Sequence, residues 1–174
     1  MRLDHMAFRA SDRKATADLI QKLLGYKVAT TFDIVFDDGS KTESIALVPP
    51  EKMDNVPSIE AGGRRHLAPE IFVSDGEPDS IVGKWVNKRG GKGGIHHIAY
   101  QVFNIDRIVK EWRDKGVEFL SEEVIDCPDD DLRQIFTKPL DCLGGMIIEL
   151  IERGDKGFCQ NSVKSLMEST EDAK

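Results

Sequence analysis

Leu3-Asp4-His5-Met6-Ala7-Phe8 returns as Ile95-His96-His97-Ile98-Ala99-Tyr100, with His97 standing 92 positions after His5. A polar turn follows each copy, then a helix-like stretch that stops at a glycine, Gly25 in the first half and Gly116 in the second. Each half closes on a strand-like run with a glutamate among apolar residues, Pro69-Glu70-Ile71-Phe72 and Ile148-Glu149-Leu150-Ile151. A histidine and a glutamate repeated in this way are the sequence form of a pseudo-symmetric metal site.

The pattern reads β-α-β-β-β twice. In the first half, Leu3 to Phe8 alternates as a strand. Ser11 or Asp12 caps a helix with Ala15, Leu19, Ile20, Leu23 and Leu24 as its apolar face. Tyr26 to Val35 and Ser44 to Val48 read as strands around an Asp37-Asp38-Gly39 turn, and His66 to Val73 as a fourth. Residues 49–64, with three prolines and Gly62-Gly63, read as a loop near an opening. Ile81 to Asn87 forms a linking helix. In the second half His96 to Val102 is a strand, and Asn104 caps a helix whose inner face is Ile105, Ile108, Val109 and Trp112. Strands follow at Val117–Leu120, Arg133–Thr137 and Met146–Glu152.

The expected fold is therefore α+β: two modules, residues 1–75 and 94–153, joined by a linker over 76–93 and packed around a shared concavity. Residues 154–174 form a tail whose Val163, Leu166 and Met167 make a closing helix.

Bulk properties narrow the function. The 174 residues suit one domain or two small modules, and 40% hydrophobic with 32% charged residues is ordinary for a soluble globular chain. A net charge of −7 argues against a nucleic-acid surface. No apolar run approaches the ~20 residues of a membrane span and no signal-peptide core is evident, so the expected location is the cytoplasm. Three scattered cysteines (Cys127, Cys142, Cys159) make neither a disulfide framework nor a thiolate zinc motif. Exposed sheet edges predict a homodimer, and the expected partner is a small-molecule substrate.

Strand alternation puts Leu3, His5 and Ala7 on one face, and Ile95, His97 and Ala99 on one face. It sends His96 the other way, as the match of Asp4. Glu149 shares a face with Ile147 and Ile151, where an unpaired carboxylate is costly. A single strand histidine is more often a hydrogen-bonded core residue, and Glu149 alone could pair with a lysine. Their coincidence in a repeat selects the metal reading, with His5, His97 and Glu149 as ligands. Two imidazoles and a carboxylate with open positions suit Fe(II) and oxygen; the same donors accept Co, Ni, Mn, Mg or Zn. Glu70, placed opposite Glu149 in the repeat, is a candidate fourth ligand, a catalytic base, or an edge charge. His66, beside Arg64 and Arg65, reads as a surface residue.

These residues resemble the vicinal oxygen chelate superfamily, which includes glyoxalase I, methylmalonyl-CoA epimerase and the extradiol and 2-oxo-acid dioxygenases. Gln134-Ile135-Phe136-Thr137-Lys138-Pro139, then Ile147 to Arg153 and the tail from Gly157 to Glu168, look most like the catalytic domain of 4-hydroxyphenylpyruvate dioxygenase. That resemblance implies a non-haem Fe(II) dioxygenase acting on a 2-oxo acid. His5, His97 and Glu149 would hold iron, and Gln134 and Phe136 would line the substrate pocket. Val163 and Met167 stand where that family has aromatic rings, which points away from a phenolic substrate. Gly94-Ile95-His96-His97 and Ile81 to Trp85 also resemble the epimerase. The alternative is accordingly a divalent-metal epimerase or glyoxalase-type lyase, and the third reading is a non-catalytic small-molecule binder.

Overall fold

The computed structural model describes residues 1–50, 68–127, 130–154 and 156–171. Eight strands form one sheet in the order β2-β3-β4-β1-β5-β8-β7-β6. The first half supplies β1 (Arg2–Arg9), β2 (Lys27–Val35), β3 (Lys41–Val48) and β4 (Glu70–Gly76); the second supplies β5 (Gly94–Gln101), β6 (Ile125–Cys127), β7 (Leu132–Phe136) and β8 (Ile147–Arg153). β1 and β5 meet antiparallel at the seam, and each then pairs in parallel with the last strand of its own half, β4 or β8. The two modules thus share one curled sheet, and their equivalent histidines face each other across its middle.

Helices α1 (Arg13–Leu24) and α3 (Ile105–Asp114) cover one face of the sheet. Helix α2 (Ile81–Lys88) links the halves, and α4 (Gln160–Ser169) lies over the other face. Side-chain caps set the helix starts, Asp12 and Asn104 as the sequence suggests and Ser80 in addition. Asp12 accepts from Ala15 N at 2.9 Å, Ser80 from Gly83 N at 3.1 Å and Asn104 from Arg107 N at 3.2 Å. Gly25 ends α1 at φ 71°, where a side chain would be strained.

Four expectations are corrected. First, α1 is rotated: Ala17 is buried, while Leu19, Leu23 and Leu24 are 55, 68 and 57% exposed. The cause is Arg13, whose side chain is drawn inward by Asp75 and Glu43. Arg13, Ala17 and Ile20 follow one another at helical spacing, so that ion pair selects their face. Second, Val117–Leu120 makes only a single bridge, Phe119 to Thr137. The chain beyond Thr137 runs into Pro139, which has no N–H to extend a ladder. Third, the short edge strand β6 was not anticipated, because three residues including Asp126 carry no readable alternation. Fourth, β4 begins at Glu70 and runs on to Gly76. His66, the first residue of the expected strand, lies outside the described residues, as does most of the expected loop.

Candidate metal centre

Three side chains converge at the seam. His5 Nε2 and His97 Nε2 each lie 3.2 Å from the same Glu149 oxygen, Oε2, and 3.4 Å from one another. The atoms that could ligate a metal fall within 4.8 Å of each other, on β1, β5 and β8. Glu149 is fully buried, and neither of its oxygens has a hydrogen-bond partner among the described residues.

The outward nitrogen of each imidazole is also fixed. Asp4 Oδ1 lies 2.8 Å from His5 Nδ1, and His96 Nδ1 lies 2.9 Å from His97 Nδ1. Asp4 is held in turn by Arg153 at 2.9 Å. With protons on Nδ1, both Nε2 lone pairs would face the carboxylate, a donor set that could hold a divalent cation. Two nitrogens and one oxygen without thiolate fit Fe(II), Co, Ni, Mn, Zn or Mg alike.

Backbone irregularity creates those supports. Strand β1 pairs Leu3 with Tyr100 and His5 with Ala99, leaving Asp4 as an extra residue; β5 pairs His97 with Ala7 and Ile95 with Phe8, leaving His96 extra. Both are β-bulges, related by the same offset as the ligands. A bulge breaks strict alternation, so His96 does not turn away as expected. It is 3% exposed, beside its neighbour's ring and along the wall of the same cavity.

Register corrects a second expectation. His5 lies opposite Glu70 and Ala7 opposite Phe72; His97 lies opposite Ile147 and Ala99 opposite Glu149. Glu70 is therefore the counterpart of Ile147, and Phe72 is the counterpart of Glu149. Glu70 lies outside the triad and pairs with Arg153 at 3.0 Å. Its displacement by two residues keeps the same face, so alternation alone could not expose it.

Aromatic rings enclose the centre. His5 meets Phe72 and Phe158 at ring separations of 5.1 and 5.5 Å, and His97 meets Phe136 at 5.4 Å, all edge-on. A cavity of about 60 Å³ opens beside the histidines, walled by Phe72, Phe158, Val163, Leu166 and Met167. Phe136 touches the site. Gln134, fully buried beside Cys127 Sγ at 3.5 Å, does not line that cavity.

The charge state follows from these contacts. Burial works against a charged His5, but the Glu149 carboxylate and the Asp4 bond outweigh it and push the imidazole up to about 9. His97 goes well below the ordinary range, first through burial and then through the charge on His5. Burial raises Asp4, and its bond to His5 and the Arg153 charge more than reverse that, so its carboxyl is held low.

With this geometry, comparison with known proteins is informative. Residues 4–136 match the glyoxalase/bleomycin resistance protein/dioxygenase superfamily. The chain belongs to that superfamily. Within it, the chain is similar to human mitochondrial methylmalonyl-CoA epimerase, 29% identical over 150 residues, which are 86% of this chain and 72% of the relative. The solved methylmalonyl-CoA epimerase of Mycobacterium tuberculosis superposes with TM-score 0.61 at 23% identity, covering 88% of each chain. A mutant of Streptomyces coelicolor 4-hydroxymandelate synthase superposes with TM-score 0.76 at 21% identity, covering 98% of this chain and 53% of its own. At those identities the solved structures establish the fold. The superfamily comparison supports the expected vicinal oxygen chelate architecture, and the relatives favour the epimerase alternative over the dioxygenase reading. No described helix is long and apolar enough to cross a membrane.

Proposed function

We propose that this superfamily member is a divalent-metal enzyme that moves a proton beside a carbonyl, in the manner of an epimerase or glyoxalase-type isomerase. The observation that carries the reading is the state of Glu149: Oε2 faces both imidazoles, and Oε1 is buried without a partner among the described residues. That oxygen is available to take and return a proton. A bound divalent cation would polarise the substrate carbonyl and acidify the neighbouring C–H. His5 and His97 would hold it, oriented by Asp4 and His96. Phe72, Phe136 and Phe158 exclude water from the reacting end, which strengthens every electrostatic contact there. The similarity to methylmalonyl-CoA epimerase supports the same class.

A dioxygenase of 2-oxo acids is the second reading. Phe72 favours it, because an aromatic ring in the position equivalent to Glu149 leaves the metal with three protein ligands and an open face. Phe136 would then pack on the substrate.

Solvent-deuterium exchange under anaerobic conditions decides between the two. Metal-loaded protein is expected to exchange the acidic C–H of a 2-substituted acyl thioester or a hemithioacetal, and Glu149→Gln to abolish the exchange. Absence of exchange, with oxygen uptake by Fe(II)-loaded protein on a panel of aryl and alkyl 2-oxo acids, would establish the second reading. Ligand binding indifferent to chelator, with neither reaction, would leave a binding module. Homodimer formation through the terminal strands β2 and β6 is part of this proposal and is tested by sedimentation.

A further inference from the structure

The cavity has a second charged end that the metal chemistry does not use. Arg9 follows His5 and Ala7 on the same face of β1, about 13 Å of strand beyond His5 at the usual rise per residue. It is 5% exposed and lines the same cavity as His5 and His97. Its one hydrogen bond among the described residues goes to a neutral group, from Nη2 to Thr170 Oγ1 at 3.0 Å, and no described carboxylate pairs with it. A buried guanidinium is almost always paired with an anion, since desolvating the charge is costly, and here its other described contact is the Trp85 ring, 5.8 Å from the guanidinium carbon. Burial alone draws its acidity toward the neutral form, to about 9, with no anion opposing the shift.

Other polar groups line the same cavity. His96 Nε2 is buried without a partner among the described residues, and Ser44 and Ser74 share a 2.6 Å hydrogen bond on adjacent strands. The cavity thus carries a cation, Arg9, and the imidazoles of His5 and His97 on one wall, with the His96 ring between them.

We infer that Arg9 binds an oxyanion at the far end of the substrate, so that the molecule whose carbonyl end reaches His5, His97 and Glu149 also carries a terminal carboxylate or phosphate. This rests on the metal-centre reading and holds for either chemistry proposed above. Thr170, just past the end of α4, would release or share its bond with Arg9 as the anion enters.

The test uses full-length, cobalt-loaded protein and calorimetric titration with 2-oxo acids of matched length: 2-oxopentanoate, 2-oxoglutarate, and the analogue ending in a phosphonate. Wild-type protein is expected to bind the terminal anions about tenfold or more tightly than 2-oxopentanoate, the scale of a charge-assisted hydrogen bond. The carboxylate and phosphonate arms show which anion the pocket prefers. Arg9→Gln should erase the preference while leaving metal content and 2-oxopentanoate binding intact, and Arg9→Lys should retain part of it. Equal affinity across the wild-type panel, or a preference that survives in Arg9→Gln, overturns the inference. The wild-type panel decides even if a variant fails to fold. If all binding proves indifferent to cobalt, the metal reading fails instead, and titration of the metal-free protein with inorganic phosphate tests Arg9 alone: micromolar to millimolar binding lost in Arg9→Gln supports it, and no binding overturns it.

Discussion

The two halves of the site use one backbone plan and different side chains. Each half presents an imidazole from its first strand, and each bulges one residue earlier to place a support against Nδ1. In the first half that support is a carboxylate, Asp4; in the second it is an imidazole, His96. The last strands diverge more. Ala99 faces Glu149, whereas the equivalent Ala7 faces Phe72. The frame repeats, and one paired position carries a candidate ligand, Glu149, on one side and a wall, Phe72, on the other.

The largest test of this asymmetry is removal of the ligand. Glu149→Ala should lower bound metal from about one per chain to near zero, while Glu70→Ala leaves it unchanged; elemental analysis of protein purified without chelator measures both. Equal loss in the two variants would restore Glu70 to the centre. Phe72→Glu is the converse experiment. It should rebuild a symmetric four-ligand site, with tighter metal binding and no room for oxygen, read by competition with a chelator and by oxygen uptake.

Next come the supports. Asp4→Asn should weaken metal binding by about 10- to 100-fold, and His96→Gln by less, because a carboxylate raises imidazole basicity more than a neutral ring does. A pH titration sharpens the same contrast. His5 without metal holds a proton up to about 9, so a metal must displace it below that pH. Affinity should therefore rise about tenfold per pH unit from neutrality toward 9 and then level. His97, already neutral across this range, adds no further step. A flat profile would mean that His5 and Glu149 do not share the site.

The smallest expected effect lies outside the site, on α1. Leu23→Ser should change stability by less than about 0.5 kcal/mol, because that side chain is exposed. Arg13→Ala should cost more, since it removes the guanidinium contacts to Asp75 and Glu43 and leaves Asp75 only the backbone N–H of residue 13. Chemical denaturation distinguishes the two.

What the sequence made legible was whatever is local. Asp12 and Asn104 announced helix starts, Gly25 a stop, and His5, His97 and Glu149 announced a shared cluster that the structure brings together. The missing parts are properties of pairing. Bulges at Asp4 and His96 change which way a side chain points without changing composition. The two-residue offset between Glu70 and Phe72 preserves every alternation rule while exchanging a carboxylate for a ring. Rotation of α1 depends on Arg13 finding Asp75, 62 residues away, and no helical wheel contains that partner. Arg9 went unremarked because a basic residue at a strand end reads as solvated until α4 is seen above it.

The candidate ligands are far apart in sequence, at residues 5, 97 and 149, and no fragment that ends before Glu149 holds all three donors. Metal capture would then follow docking of the halves, and a bound ion would tie residues 5, 97 and 149 together and close two long chain loops, as a crosslink does. The protein's mechanical coherence and its chemistry would thus depend on the same ion.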